Sequence, residues 1–266
     1  MFTSCRVCGS KNFNKKFAAE ILKKYKVDYF LCNNCSFLQT ETPYWLEEAY
    51  KNPISVADTG IMSRNIGLSQ ITVTIIYFLF NKQGKFLDFA GGYGILTRLM
   101  RDIGFHFYHY DKYAQNLFAK GFELNKDKNS KFDLVTTFET FEHFVEPIEE
   151  IEKILQFSDN IFFSTELLPS PIPEPEKWWY YSMGSGQHIS FYSLKTLNYI
   201  ARKYNMNLLT NNSSLHLLSK NKNITQRKFN ILLKFQGLGL FFYVKRKMKS
   251  LTIDDMNFLI CNKKND

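Results

Sequence analysis

The chain has 266 residues, about twice the size of a typical domain, so one large domain or a core with small appendages is expected. Hydrophobic residues make up 45% and aromatic residues 17% of it, which excludes a disordered protein. Lysine and arginine outnumber aspartate and glutamate by 34 to 25, and the net charge of +9 raises the question of an anionic partner.

Membrane insertion and export are not expected from the apolar pattern. The most apolar run, residues 71–80, is ten residues long, about half of the ~20 needed to cross a bilayer. The first nine residues contain no apolar stretch of the kind found in signal peptides. We therefore expect a cytoplasmic protein without a transmembrane segment.

Four of the five cysteines form two C-x2-C pairs near the start of the chain: Cys5, Cys8, Cys32 and Cys35. Each pair can place two sulfurs ~2.3 Å from one ion, and two pairs close a tetrahedral zinc site. A site with four thiolates has no open position for water, so its role is structural. We predict a zinc ribbon over residues 1–40. The alternative is that the thiols pack as small apolar side chains.

Residues 41–84 are predicted to be helical, with an apolar helix in their second half. Asp58, Gly60, Arg64 and Asn65 interrupt the apolar pattern between two helical stretches. These groups suit either ligand binding or a helix cap followed by a solvated face.

A strand, a glycine turn and a helix are predicted in succession from residue 85. The strand covers residues 85–90, and Gly92 and Gly94 lie in the turn that follows. Glycines let the backbone approach a ligand, and the helix N-terminus offers unpaired N–H groups to anionic groups. Asp111 ends the next strand, where a carboxylate can accept hydrogen bonds from the ribose of an adenosine cofactor.

Two further strands, residues 132–138 and 160–165, flank a helix over 147–155. With the first half of this module they resemble the motif set of class I S-adenosylmethionine-dependent methyltransferases, in LDFAGGYG, YHYD, FDLVTTFETFEHF and IFFSTE. The resemblance covers residues 85–220. It implies a doubly wound, Rossmann-like α/β sheet, mostly parallel, with one antiparallel strand near residues 215–219.

The same resemblance implies the cofactor contacts. Asp88, Gly92 and Gly94 are expected around the methionine moiety of S-adenosylmethionine, and Asp111 on its ribose. Phe138 and Glu139 are expected beside the cofactor at the end of their strand. Ala90 stands where the family usually has its first glycine. One extra methyl group predicts a loop that is kept with a slight shift.

The ribbon followed by this core also resembles the deoxysugar C-methyltransferases, through CRVCGS and the second C-x2-C with its Leu-Gln tail. The run GQHISFYSL resembles a segment of those enzymes whose histidine is the base, and His188 matches it. Gln187 and Ser185 replace an acidic and a phenolic residue there, so O-methylation is favoured over C-methylation. Alternatively, His188 caps the following helix or bonds a buried carbonyl group.

Glu139, Glu142, His143 and His188 also resemble the ligands of the metal-dependent small-RNA 3′-end 2′-O-methyltransferases. Oxygen and imidazole ligands suit Mg²⁺ or Mn²⁺. E-x-x-E-H also occurs in methyltransferases without a metal, and His143 then positions neighbouring groups or is structural. We assign Glu142, His143 and His188 to the candidate catalytic set.

An aromatic run follows the proline-rich segment at residues 168–176. Prolines keep that segment extended over the carboxyl ends of the strands, where ligands bind in open α/β sheets. The acceptor wall is predicted to consist of Trp178, Trp179, Tyr180 and Tyr181. The alternative is that these rings only cover the sheet.

The excess charge lies in one part of the chain. Residues 211–250 contain nine basic residues and no acidic one, whereas residues 1–210 contain 23 basic and 22 acidic residues. A nucleic-acid partner is therefore not expected. The basic extension, residues 221–266, is expected to pack on the core, to lie on a membrane surface or to clamp a phosphorylated acceptor.

The sequence thus predicts an O-methyltransferase that acts on a nucleotide-linked or phosphorylated sugar, or a related surface-polysaccharide precursor. An RNA 2′-O-methyltransferase and a sugar C-methyltransferase are the alternatives, followed by a non-enzymatic zinc-ribbon scaffold. The acceptor's identity and the oligomeric state are not predicted.

Overall fold

The computed structural model describes residues 4–51, 54, 58–124 and 131–262. Residues 52–53 and 55–57 of the predicted linker lie outside this part. The chain forms two compact units. The first consists of Met1–Ser55, Phe138–Gln156 and Phe162–Lys222, and the second of Val56–Thr137, Phe157–Ile161 and Asn223–Asp266.

The first unit contains a four-stranded antiparallel sheet that pairs strands of the N-terminal segment with one strand from near residue 190. It consists of β1 (Phe13–Ile21), β2 (Tyr25–Cys32), β3 (Leu38–Thr40) and β8 (Ser190–Phe191), in that order. The register places Leu38 opposite Phe191 and Gln39 opposite Ser190. The strand directly after His188 therefore completes the sheet that the cysteine-containing segment begins.

The apolar core of this unit lies against that sheet. Tyr29, Trp45, Tyr181 and Phe191 are fully buried in it. The short helix α1 (Leu46–Ala49) follows Trp45, whose indole N–H donates to the Gly186 carbonyl group at 2.8 Å.

Six strands form the central sheet, in the order β5-β4-β6-β7-β10-β9. Their bounds are β4 (Lys85–Phe89), β5 (His106–Tyr110), β6 (Leu134–Thr137), β7 (Asn160–Ser164), β9 (Asn207–Thr210) and β10 (Leu215–Ser219). β4 is parallel to β5 and β6, and β10 is antiparallel to β9. This confirms the Rossmann-like α/β fold and the antiparallel strand predicted near residues 215–219.

Seven longer helices complete the described fold. They are α2 (Ile61–Leu79), α3 (Ile95–Ile103), α4 (Pro147–Leu155), α5 (Leu194–Lys203), α6 (Gln226–Phe235), α7 (Phe241–Lys247) and α8 (Thr252–Asn262). α3 is flanked by Gly94 before it and Gly104 after it. Their φ angles of 82° and 121° lie in a region that favours glycine. Ser193 caps α5, accepting from the Thr196 N–H at 3.1 Å.

In the second unit, α2 packs against α3, which itself contacts β4 and β5. It also packs against α6 and α7 of the C-terminal extension. Asp58 lies before α2 and Arg64 lies in its first turn, and the two side chains form an ion pair. Ligand binding or a helix cap was expected for this segment. Among the described helices, none combines the length and apolarity needed to cross a membrane.

Candidate active site

The predicted cofactor loop lies directly after β4 in the second unit. Ala90, Gly92 and Gly94 have φ angles of 57°, 56° and 82°, all in the left-handed region. Ala90 thus adopts a conformation that favours glycine, at a cost of about 1 kcal/mol for its Cβ. The tight turn expected from the sequence is present despite the alanine.

At residue 91 the surrounding atoms leave no room for a side chain, whereas at Ala90, Gly92 and Gly94 it is the left-handed backbone conformation that favours glycine. A Cβ atom at residue 91 would lie 2.5 Å from Asp88 Oδ2 and 2.9 Å from His109 Cδ2. His109 is buried, and its Nε2 lies 3.0 Å from the Gly92 carbonyl oxygen. The loop is therefore held by the side chain of the neighbouring strand β5.

Asp88 is 2% exposed and accepts hydrogen bonds from two threonines. Thr136 Oγ1 donates to its Oδ1 at 3.0 Å and Thr97 Oγ1 to its Oδ2 at 3.2 Å. Burial raises the pKa of Asp88 to about 7, and the charge of Asp111 adds to the effect. A carboxylate in this environment would gain from a nearby cation, and the ammonium of a methionine moiety is one.

Asp111 contacts backbone groups on both sides of the loop. Its Oδ1 accepts from the N–H groups of Tyr113 and Ala114, both at 2.7 Å, and its Oδ2 from the Gly92 N–H at 2.9 Å. A carboxylate has about four acceptor positions, so about one remains for a hydroxyl group. The residues fit S-adenosylmethionine, although both ribose hydroxyls could be accepted only if one of these bonds is released.

The candidate catalytic residues come together in the first unit. Glu142 and His143 lie on a single 3-10 turn (Phe141–His143) that follows β6. His188 precedes β8, and its ring centroid lies 4.9 Å from that of His143. The Ile189 N–H donates to the Glu142 carbonyl group at 2.9 Å, which ties the two segments together.

Backbone carbonyl groups determine the tautomers of both histidines. His188 Nδ1 lies 2.7 Å from the Tyr180 oxygen, and His143 Nδ1 lies 3.1 Å from the Gln187 oxygen. A carbonyl oxygen can only accept, so in the neutral rings each Nδ1 carries the proton and each Nε2 carries a lone pair. Of the two structural roles considered for His188, the structure contains the bond to a carbonyl group, while Ser193 caps the helix.

Burial keeps both imidazoles neutral. It lowers the pKa of His143 to about 4 and, together with the neighbouring His143, lowers the pKa of His188 to about 3. Burial, followed by the charge of Glu139, raises the pKa of Glu142 well above its usual value. Within the part of the chain that the structure describes, neither carboxylate oxygen of Glu142 makes a well-formed hydrogen bond, although the Tyr180 hydroxyl lies close enough to oppose the rise in the pKa of Glu142.

One ligand atom each from Glu142, His143 and His188 lies within 4.8 Å of the others. Two imidazole nitrogens and one carboxylate oxygen form a donor set for divalent transition metals. Each histidine also donates its other ring N–H to a carbonyl group, as metal-ligating histidines usually do. The cluster therefore fits a divalent cation as well as a proton acceptor.

Phe138 and Glu139 directly follow β6, as predicted. Glu139 has a φ angle of 52°. Its N–H donates to Ser164 Oγ at 2.7 Å, and that hydroxyl donates to Glu139 Oε1 at 2.6 Å. Phe138 packs edge-on against Phe162 with centroids 5.2 Å apart. Ser164 thus holds Glu139 at the carboxyl end of its strand.

The four rings predicted as the acceptor wall differ in exposure. Trp179 is 73% exposed, Trp178 is half-buried, and Tyr180 and Tyr181 are buried. Tyr181 belongs to the core of the first unit, where its hydroxyl donates to the Pro173 carbonyl group at 3.0 Å. The Tyr180 hydroxyl lies 3.1 Å from Thr165 Oγ1. An acceptor role for these rings stays a prediction.

The four N-terminal cysteines cluster without forming disulfides. Cys5 Sγ lies 3.6 Å from Cys35 Sγ, and Cys8 Sγ lies 3.5 Å from Cys32 Sγ. Sulfurs bound tetrahedrally at ~2.3 Å would be about 3.8 Å apart. The spacing therefore fits a four-thiolate zinc site.

Arg6, which the sequence does not distinguish, connects this cluster to the histidine segments. Its Nη2 donates to the carbonyl groups of Thr40 at 2.8 Å and Ile189 at 3.2 Å, and its Nη1 to that of Val145 at 3.3 Å. Ile189 is next to His188, and Val145 is two residues after His143. Only the position of Arg6 between two cysteines could have indicated this role.

Comparisons with known proteins agree with this architecture. Residues 68–211 match a family model described as a methyltransferase domain. A search of curated proteins gives no match.

Three solved structures illustrate the similarity. An O-methyltransferase family protein from Burkholderia thailandensis is 14% identical, with 68% of this chain and 64% of that chain covered and a TM-score of 0.46. CalO1, a methyltransferase in calicheamicin biosynthesis, is 11% identical, with coverage of 65% and 60% and a TM-score of 0.42. Human N-acetylserotonin methyltransferase is 13% identical, with coverage of 66% and 65% and a TM-score of 0.41. This chain thus covers less than two thirds of each, and the similarity is one of fold.

Proposed function

This chain belongs to the methyltransferase-domain family, and we propose that it transfers a methyl group from S-adenosylmethionine to a hydroxyl group of a small acceptor. The acceptor class is a nucleotide-linked or phosphorylated sugar, or a related surface-polysaccharide precursor. When bound, the cofactor supplies a methyl group on a positively charged sulfur. Asp88 and the loop from Ala90 to Gly94 bind it.

The observation that carries this proposal is the 2.7 Å contact between His188 Nδ1 and the Tyr180 carbonyl group. It fixes the tautomer, so that Nε2 can accept the hydroxyl proton while the new C–O bond would form and the sulfur–methyl bond would break, with neutral S-adenosylhomocysteine as the leaving group. The lowered pKa of about 3 keeps this nitrogen unprotonated at neutral pH but also makes it a weak base, so proton transfer would follow the C–O bond formation that acidifies the hydroxyl group. His143, with the same arrangement, positions the ring of His188.

O-methylation is favoured over C-methylation by the side chains next to His188. The Gln187 amide donates to the Ala49 carbonyl group at 2.8 Å, and the Ser185 hydroxyl lies 2.8 Å from that of Ser182. Neither Gln187 nor Ser185 supplies the acid or the phenol that the C-methyltransferases have at these two positions. The acid and the phenol beside His188 are instead Glu142 and Tyr180, so the preference for O-methylation rests on these two replacements alone.

A divalent cation held by Glu142, His143 and His188 is the second candidate, supported by the mutual distances within 4.8 Å. The burial of the Glu142 carboxyl group, which a cation would compensate, also favours it. The cation would lower the pKa of a bound hydroxyl group. This arrangement would serve vicinal hydroxyls, either of a sugar or of a terminal RNA ribose.

His188→Gln is the test of both candidates. We expect turnover to fall by about 10²- to 10⁴-fold, the usual contribution of a general base, while S-adenosylhomocysteine still stabilises the variant in a thermal shift. His106→Gln, the same change on β5, is the control and should leave turnover intact. Unchanged turnover in His188→Gln would contradict the assignment.

Treatment of the wild-type protein with EDTA separates the two candidates. Loss of turnover that Mg²⁺ or Mn²⁺ restores, with the zinc content unchanged, would favour the cation. Turnover that resists EDTA supports His188 as the base. RNA methylation additionally requires salt-sensitive RNA binding.

A further inference from the structure

The C-terminal extension exposes large apolar side chains that the proposed methyl transfer does not use. Leu238 and Phe242 are 72% and 62% exposed. Ile231, Phe235 and Tyr243 are each close to half exposed. We call these five residues, on α6, on the turn after it and on α7, the tail face.

The exposure follows from how the two helices pack in the second unit. α6 buries Phe229 and Leu232, and α7 buries Val244. Both helices pack against α2, and Gln236 Nε2 donates to Gln70 Oε1 at 3.4 Å. These contacts anchor the extension on α2, so the first of the roles expected for it is present. Tyr243 lies at the edge of this contact, with its ring centroid 6.4 Å from that of an α2 tyrosine, and it and the rest of the tail face stay substantially exposed.

Basic residues share the exposed side of α6 with the apolar ones. Arg227, Ile231, Lys234 and Phe235 occupy positions i, i+4, i+7 and i+8, which lie on one face of a helix. On α7, Phe242 and Arg246 are four residues apart, and Lys245 is exposed beside them. No acidic residue occurs between residues 211 and 250. The surface is thus apolar and positively charged at once.

We propose that the tail face binds the surface of an anionic lipid bilayer. Ile231, Phe235, Leu238 and Phe242 would enter the boundary between headgroups and acyl chains, as in interfacial amphipathic helices. The long stems of Lys234 and Arg246 allow their charged ends to reach lipid phosphates from the same face. Apolar insertion and charge together supply the two signals that stable peripheral binding requires.

Charge argues against a second copy of the chain as the occupant. In a two-fold dimer the same patch of both copies meets at the interface. The lysine and arginine side chains of one tail face would then lie opposite those of the other and repel them. Three of the five tail-face residues carry rings on which bases could stack, but Ile231 and Leu238 would gain nothing from a nucleic acid, whereas acyl chains suit all five. A bilayer satisfies the apolar and the basic side chains together.

The test is co-sedimentation of the full chain with vesicles of phosphatidylglycerol and phosphatidylcholine, compared with pure phosphatidylcholine vesicles. We expect binding to the anionic vesicles only, weakened at about 500 mM salt, where the Debye length falls to a few ångströms. The charge variant Lys234→Gln, Lys245→Gln, Arg246→Gln should lose affinity on the order of hundredfold. The apolar variant Phe235→Ser, Leu238→Ser, Phe242→Ser should lose it as well.

The matched control is Lys11→Gln, Lys16→Gln, Lys26→Gln, which removes the same charge from exposed positions of the first unit. It should bind like the wild type, and all variants should keep the wild-type melting temperature within a few degrees. The proposal is overturned by absent vesicle binding at low salt or by equal losses in the control. A dimer that the apolar variant dissociates, or binding to RNA in place of vesicles, would also overturn it.

Discussion

At Asp88, the proposed role in cofactor binding and the effect on stability have opposite signs. Burial raises the pKa of Asp88 from 3.8 to about 7, so the folded protein releases this proton at a higher pH than the unfolded chain does. The folded state therefore loses stability as the pH rises from 3.8 through about 7, and at pH 8 the cost of the buried charge is fully present. A bound ammonium group would recover part of that cost.

Asp88→Asn should therefore gain stability and lose cofactor. We expect the free energy of unfolding at pH 8 to rise by about 1–3 kcal/mol, because the buried charge is gone. The affinity for S-adenosylhomocysteine should fall about ten- to hundredfold, because a charged hydrogen bond is lost. Urea unfolding and calorimetric titration measure the two effects.

Asp159→Asn, the same change at an exposed position, is the control and should alter neither quantity. A variant that loses both stability and affinity would mean that Asp88 is ionised and already paired in the free protein. Opposite signs would support its assignment to the cofactor.

Residue patterns predicted some parts of the site and missed others for a physical reason. The turn that contains Gly92 and Gly94 could be predicted, because glycines between a strand and a helix are a recognisable pattern, whereas the cofactor roles of Asp88 and Asp111 rest on the resemblance and stay predictions. His109 could not, because its partner is a backbone carbonyl group, which every residue has. The placement of His188 beside His143 depends on contacts between distant segments, so only the resemblance pointed to it.

At the scale of elements, the cysteine-containing segment and the histidine segments share one sheet. The pairing of β3 with β8 joins residues 38–39 to residues 190–191, and Arg6 bonds to Ile189 and Val145 as well. The cysteine spacing predicted the ribbon but not its strands, and their partner β8 has two residues, too few for any periodicity. The boundary predicted at residue 40 stays a prediction, whereas the contacts group the ribbon with residues 138–156 and 162–222.

Arg6→Lys should show that the ribbon positions the histidines. Lysine keeps the charge but loses the planar fork that reaches three carbonyl groups. We expect kcat to fall about tenfold, since small displacements of catalytic groups are costly. The affinity for S-adenosylhomocysteine should be retained, and so should the one zinc per chain that we expect the four cysteines to hold, measured by mass spectrometry of the metal content.

Arg202→Lys, on the exposed side of α5, is the matched control and should leave kcat unchanged. If Arg6→Lys has wild-type turnover, the contacts to Ile189 and Val145 only stabilise the fold. If it loses zinc, the effect on kcat would belong to the metal site and not to the positioning of His188.

At the scale of the whole molecule, buried neutral histidines make stability depend on pH. His216 lies on β10 and is fully buried, with Nδ1 2.8 Å from Thr210 Oγ1 of β9 and Nε2 3.0 Å from the carbonyl oxygen of Thr165, which follows β7. Burial lowers its pKa from 6.5 to about 4. Between these values the unfolded chain binds the proton and the folded chain does not, so stability is lost as the pH falls below 6.5.

His216→Gln removes this titration and should flatten the pH dependence. The variant should be less stable than the wild type at pH 8, because the two hydrogen bonds are disturbed. The difference should shrink by about 2 kcal/mol on going to pH 5, because only the wild type bears the cost of excluding a proton there. Asp88 titrates in both proteins, so its contribution cancels in the comparison. Urea unfolding at the two pH values measures the difference, and parallel curves would mean that His216 accepts a proton in the folded protein.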